Sequence, residues 1–469
     1  MKQVSWKYCF SGLFTAASLT VCASHVLAEN IEEAVAEALE LNPEVRFQAK
    51  ELDALREEVR GARGGYLPSV DLDLSAGQAR RDYDDRGTFD RHYAELSVTQ
   101  MLFDGYRVDG LVDEANHKLR EQYFVLLEEA EAKALEVVEA YLEVQRYRQL
   151  IALAKANVDN HLQVLEKVKE RAGQGVGNRA DLYQAEGRLA LARANLHTEV
   201  SNLQSVTARY QRLVGHAPDE HLALVTELGG VLPESLEEVL KQTFARHPSI
   251  HSALANINAA QSALQVAKAE NYPTLDLGFT HGTYKNNNSF DSQDTDGHFG
   301  DETILELRLQ YNLFRGGSDR AAQRAAFHRI ERAQTLRDKA CVDLRQTATI
   351  AWSEMHNLQS KMDQLQAHRE SSNRVVQAYR DQFGIGRRSL LDVLDSENEV
   401  FQAERNYVQG QHDLLIAKAQ ILNSMGQLLE TLDLSDGKAI AADDVIDADI
   451  PELPADYCAT VSDALVRVH

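Results

Sequence analysis

The sequence predicts an α+β membrane protein built from one unit used twice, each copy a β-hairpin joined to a long helical hairpin. Three observations predict this. First, landmarks recur in order: Ile31 to Pro43 (IEEAVAEALELNP) returns 205 residues later as Leu236 to Pro248 (LEEVLKQTFARHP). Tyr66-Leu67-Pro68 returns as Asn271-Tyr272-Pro273, Phe103-Asp104-Gly105 as Phe314-Arg315-Gly316, and Gly175-Val176-Gly177 as Gly384-Ile385-Gly386. Recurrence at a fixed period marks a duplicated supersecondary unit. Second, no proline lies between Pro68 and Pro218 or between Pro273 and Pro451, which leaves room for very long helices. Third, the hydrophobic period changes from helical to two just after Pro68 and again after Pro273.

Taken in chain order, residues 1–28 read as a signal peptide. Lys2 and Lys7 form a basic start, Phe10 to Val21 a short apolar stretch, and Val26-Leu27-Ala28 a cleavage site before Glu29. The apolar run falls short of the ~20 residues a spanning helix needs. Cys22 follows Val21, which is too large for a good lipoprotein box. The chain carries a net charge of −23, and loss of the leader with its two lysines makes it −25. Such a surface disfavours nucleic acid and anionic headgroups. Cys9 and Cys22 leave with the leader. Cys341 and Cys458 remain, too few for a disulfide framework. Cys341 sits in a helical pattern and reads as a small buried apolar residue, and Cys458 in the tail has no assigned role.

The first unit spans 29–230 and the second 231–432. Each opens with a helix of about 30 residues, with Ile31, Val35, Ala38 and Leu39 on one face of the first and Leu236, Leu240, Thr243 and Phe244 on the second. Strands follow over 69–81 and 91–103, and over 274–284 and 303–314. Val70, Leu72, Leu74 and Ala76 alternate with Asp71, Asp73, Ser75 and Gly77. Leu305, Leu307, Leu309, Tyr311 and Leu313 alternate with polar residues. This length and pattern suit a tilted strand with one face to lipid and one to a wet lumen, with Tyr66, Phe103, Tyr272, Tyr311 and Phe314 in an aromatic girdle. A soluble sheet with one wet face alternates in the same way. The leader and the repeat favour the membrane.

Helical hairpins follow over 105–214 and 318–429. From Gly105 to Arg171 only Gly110 interrupts, which gives a helix of roughly 100 Å. Tyr123, Leu127, Ala130, Ala134, Val137, Tyr141 and Val144 form a heptad seam, and the helix returning after the Gly-x-Gly turn is its partner. Four strands per chain cannot close a barrel, and open edges do not survive in lipid, so several chains must contribute. The tail, 433–469, is acidic and irregular.

The order helix, Tyr-Pro, strand pair, Phe-x-Gly, long helix, Gly turn and return helix, found twice, resembles the TolC family of outer-membrane efflux and secretion channels over about residues 30–430. Phe383 to Asp395 (FGIGRRSLLDVLD) carries the most specific part of the likeness. The resemblance implies a homotrimer with a twelve-stranded transmembrane barrel, continued by an α-helical coiled-coil tunnel in the periplasm. It implies a periplasmic adaptor (membrane fusion protein) and an inner-membrane ABC transporter or other pump as partners. The turns look most like the branch serving type I protein secretion; drug efflux is the alternative within the family, and a secreted coiled-coil structural protein is the alternative outside it.

By the same resemblance, Asp392 and Asp395 ring the periplasmic constriction, and Arg388 ties it closed. The Ser389-Leu390-Leu391-Asp392 sequence also reads as a capping box. Phe383 stands where the family often has a hydrogen-bonding tyrosine. Asp181 lies two positions before the family's acidic partner, at which this chain has Tyr183. Val176, Gly177, Asn178 and Arg179, and Ile385, Gly386 and Arg387, match the turns that meet the adaptor. The chain carries no catalytic constellation: its sixteen histidines lack metal-ligand spacing, and neither Gly-x-Gly is followed by Gly-Lys-Ser/Thr. A duct that is not an enzyme and needs no cofactor or metal is the expectation.

Overall fold

The computed structural model describes residues 28–81, 87–174, 178–228, 232–286 and 299–434, and Cys458. The leader up to Leu27, Val176, Gly177, most of the acidic tail and both strand loops lie outside these residues. None of the described helices is long and apolar enough to cross a membrane.

Each opening helix is two helices rather than one of 30 residues: α1 (Ile31–Leu41) and α2 (Pro43–Arg63), then α5 (Leu236–Arg246) and α6 (Pro248–Ala269). The break is local chemistry. Pro43 and Pro248 lack the N–H that a continuing helix would use, and they force the preceding residue into extended backbone. Asn42 (ψ 127°) and His247 (ψ 129°) adopt it, and each caps the next helix by accepting from Glu44 N–H (2.9 Å) or Ser249 N–H (3.2 Å).

The strands β1 (Ser69–Arg81), β2 (Gly87–Phe103), β3 (Thr274–Lys285) and β4 (Phe299–Gln310) form one antiparallel sheet in chain order. β4 ends at Gln310, four residues earlier than its alternation suggests. Its last partner is Thr274, and Pro273 before it cannot donate to a ladder. β2 starts earlier than expected because pairing with β1 continues to Arg81 opposite Gly87.

Register sorts the two faces. Val70, Leu72 and Leu74 oppose Val98, Leu96 and Ala94. Val98 opposes Phe279, which opposes Leu305, and Leu277 and Leu275 oppose Leu307 and Leu309. Paired residues share a face, so these aliphatics form one apolar surface, and Leu72 (64 %), Leu74 (70 %), Leu305 (72 %) and Leu307 (63 %) are exposed on it. Asp71, Asp73, Glu95, Glu302, Glu306 and Arg308 lie on the opposite face. The helix-side end of the sheet gathers Tyr66, Phe103, Tyr272, Tyr311 and Phe314.

At that end the Phe-x-Gly motif turns strand into helix. Gly105 has φ +71°, and a Cβ there would sit 2.6 Å from the Tyr272 Cβ. Only glycine fits the turn and the close approach. Asp104 accepts from the backbone N–H of Arg107 (3.0 Å) and Val108 (2.8 Å), capping the helix that follows.

The long helices α3 (Arg107–Gly173) and α7 (Ser318–Gly384) have 67 residues each. They return through α4 (Arg179–Val214) and α8 (Leu390–Ser424), and a short α9 (Leu428–Thr431) closes the order. α3 is the centre of the layer. It packs on α2 and α6 near the sheet and on α4 and α8 further out, and α7 packs on α6 and α8. The main core runs along α3 through Ala130, Ala134, Val137, Tyr141 and Val144, as the heptad seam requires. The outer faces carry exposed Phe47, Leu191, Phe327, Leu336 and Ile350.

One buried carboxylate ties this core together. Glu131 accepts from Leu428 N–H and Leu429 N–H, each at 3.2 Å, which holds α9 on α3. Burial pushes its pKa up from 4.5 to about 7, against those two donors. A raised carboxylate pKa gives stability that is complete below the unfolded value and is lost as pH climbs through the folded one. That loss is about 3 kcal/mol. The thermal midpoint of the wild type relative to Glu131→Gln is therefore expected to fall from pH 4.5 to pH 8; a constant difference would contradict this.

Candidate functional site

The predicted site lies where the two helical hairpins turn, at the end farthest from the sheet. α7 ends in a glycine turn. Gly386 has φ +74°, its N–H donates to Phe383 O (3.0 Å), and Arg387 N–H donates to Gln382 O (2.8 Å). This leaves Ile385 exposed at the tip. In the first hairpin Asn178 caps α4 by accepting from Ala180 N–H (3.1 Å), and Arg179 is exposed beside it.

α8 begins with the capping box expected from sequence. Asp392 N–H donates to Ser389 Oγ (3.2 Å), and Ser389 N–H and Oγ–H donate to Asp392 Oδ2 (3.2 and 2.8 Å). Asp395, one turn on, is paired with Arg188 of α4. The two carboxylates are thus held differently, one by its own helix terminus and one by the neighbouring hairpin.

Arg388 does not reach Asp181, which makes no ion pair among the described residues. Its Nε–H donates to Gln382 Oε1 (2.9 Å), its guanidinium lies 4.2 Å from the Tyr379 ring centroid, and Asp392 stands 3.8 Å away. Tyr379 is one helical turn before Phe383. Phe383 itself packs against Val168, Leu390 and Leu394, under the Arg171 guanidinium at 4.4 Å. A phenylalanine here serves as a stacking surface between α3 and α7 rather than as a hydrogen-bond donor.

Sequence reasoning missed the ion pairs that tie these helices together. Within the second hairpin Arg380 of α7 holds buried Glu397 of α8 in a bidentate pair, and between the hairpins Arg405 of α8 holds buried Glu199 of α4 at 2.9 Å. α4 and α8 are thus bridged twice, with the charges exchanged, by Arg188–Asp395 and Glu199–Arg405. The arginine and acid spacings on α4 and α8, eleven and ten residues, are the only signal that could have found this. Beside it a cleft of about 150 Å³ is lined by Asn160, Gln163, Lys167, Arg380, Phe383 and Glu397. Among the described residues no group of three or more His, Cys, Asp or Glu side chains could hold a metal.

A sheet that exposes one apolar face, set on a layer of helices roughly 100 Å long, defines a class: an outer-membrane channel protein with a helical extension. The chain belongs to the outer membrane efflux protein family, whose model matches residues 34–216 and 239–427. It is 24 % identical to outer membrane protein TolC of Vibrio cholerae over 92 % of this chain and 98 % of that one. It is 25 % identical to the alkaline protease secretion protein AprF of Pseudomonas aeruginosa, over 86 % of this chain and 85 % of the relative. Its fold matches the crystal structure of the outer membrane protein VceC of Vibrio cholerae with a TM-score of 0.72 at 17 % identity, over 85 % and 96 % of the two chains. The protein is located in the outer membrane of a Gram-negative bacterium.

Proposed function

We propose that three copies of this chain form a passive export duct, with a twelve-stranded barrel in the outer membrane and a coiled-coil tunnel in the periplasm. The observation that carries this reading is the four-stranded sheet itself. Among the described residues it has two unpaired edges and an exposed aliphatic face, a combination that lipid tolerates only in a closed barrel. With β4 of one copy pairing with β1 of the next, the acidic face becomes the lumen. After removal of the leader 1–28, the repeats 29–230 and 231–432 and the tail 433–469 are the parts of each copy.

The tunnel narrows at the α7–α8 turn, where three copies bring Asp392 and Asp395 towards one axis. Arg188 and Arg388 neutralise them within each chain while the end is closed. A periplasmic adaptor seats on the two exposed turns around Asn178–Arg179 and Ile385–Arg387, and an inner-membrane ABC transporter supplies the energy. No catalytic step is assigned to this chain.

Type I secretion of a large protein is the favoured use, supported by the wording of the Phe383–Asp395 segment and by the likeness to a protease secretion protein. Efflux of small molecules is the second reading, supported by the family's description. Deleting the gene and measuring both secreted proteins and drug tolerance separates the two. Loss of a large secreted or surface protein with unchanged tolerance is expected. Normal secretion with heightened drug sensitivity would transfer the assignment to efflux.

A further inference from the structure

The two repeats hold their elbows, the kinks at Asn42–Pro43 and His247–Pro248, by different means. In the first, Lys133 of α3 is buried and pairs with Glu44, the second residue of α2, and with Glu136 at 2.9 Å. The matching positions in the second repeat follow from the duplicated helix starts. Arg107 and Ser318 begin helices of equal length, which aligns Lys133 with Leu344; Pro43 and Pro248 align Glu44 with Ser249. Neither Leu344 nor Ser249 can make the ion pair.

In its place Cys341 and Cys458 form a disulfide, across 117 residues of sequence. The expectation that Cys341 is merely a small apolar residue is corrected here; a tail partner so distant leaves no local signal. The pair is sealed in an apolar cluster with Phe244 of α5, Ile250 of α6 and Leu344 of α7. Arg345 covers it, with its guanidinium 5.3 Å from the Phe244 ring centroid and a hydrogen bond to Cys458 O (3.4 Å).

We propose that Cys341–Cys458 is installed after export by a protein disulfide acting as oxidant, and that it is the clamp of the second elbow, in the role that Lys133–Glu44 fills for the first. The outer-membrane location puts both thiols in a compartment where disulfides persist. One of the two cysteine thiolates attacks the oxidant's disulfide and forms a mixed disulfide, and the other thiolate then displaces the oxidant, which leaves as a dithiol carrying the two electrons. The two protons given up by the Cys341 and Cys458 thiols are taken up by the departing dithiol, so the exchange has no net release of protons. Both sulfurs are buried in the finished fold, with Cys341 2 % and Cys458 0 % exposed, so oxidation precedes the closing of α5 over α7.

The test uses the full-length mature protein extracted in detergent from outer membranes. Under denaturing conditions a maleimide is expected to label no thiol before reduction and two after it. Hydrogen exchange over 236–254 is expected to rise roughly tenfold or more in Cys341→Ser/Cys458→Ser, with 31–52 unchanged, and Lys133→Met is expected to give the reverse pattern. If the double variant does not accumulate, wild type reduced in detergent provides the same comparison. Two labelled thiols before reduction, an unchanged rate over 236–254, or an equal rise at both elbows would overturn the proposal.

Discussion

Replacing Leu307 by arginine is expected to remove the protein from the outer membrane. Leu307 lies in the second half of β4, opposite Leu277, at the centre of the aliphatic run Leu305, Leu307 and Leu309 that one face carries. It is exposed in the chain, and lipid is what covers it in the proposed barrel. A cationic side chain at the midplane of a barrel costs about 2–4 kcal/mol. A trimer would bear that cost three times, roughly 6–12 kcal/mol, comparable to the whole stability of an ordinary domain. The matched control is Glu306→Gln, one residue away on the polar face, which should insert normally. Fractionation of cell envelopes and a heat-modifiable oligomer on gels read the result. Insertion of Leu307→Arg at wild-type levels would place that face against something other than lipid.

The second large effect is expected at the tunnel end. Asp392→Asn/Asp395→Asn should lower the preference of the open channel for cations severalfold in planar bilayers, because a ring of carboxylates favours cation entry. Asparagine at 392 is chosen because its amide oxygen can still accept from Ser389 N–H, so the capping box survives while the charge goes. At 395 the change frees Arg188, which adds positive charge at the same level. The two substitutions therefore act in one direction on selectivity while leaving α8 in place. Unchanged selectivity in the double variant would assign Asp392 to capping and Asp395 to the hairpin bridge, with no part in conduction.

The features legible in the sequence are those whose cause is local. Alternation in 69–81 and 303–310 follows from a sheet with one apolar face, and the heptads of α3 follow from a partner helix. The Phe103-Asp104-Gly105 motif announces a strand-to-helix junction because its glycine must take positive φ and its aspartate must cap. The break at Asn42–Pro43 was also local: an Asn-Pro pair marks a turn, but the hydrophobic period running through it concealed the kink. What stayed hidden depends on how helices rotate against one another. Arg188 meets Asp395 across 207 residues of sequence, and Arg388 turns to Tyr379 and Gln382 rather than to Asp181. No spacing within a single helix encodes such choices. The disulfide is the extreme case, since its second cysteine lies in a stretch without periodicity.

The central claim is that one chain is a third of a channel, and the most direct test is the mass of the assembly. Protein extracted from outer membranes in a mild detergent, measured by native mass spectrometry, is expected to give three chains per particle. A monodisperse monomer or dimer would leave the sheet edges of Ser69–Arg81 and Phe299–Gln310 unclosed in lipid, and the account would be wrong.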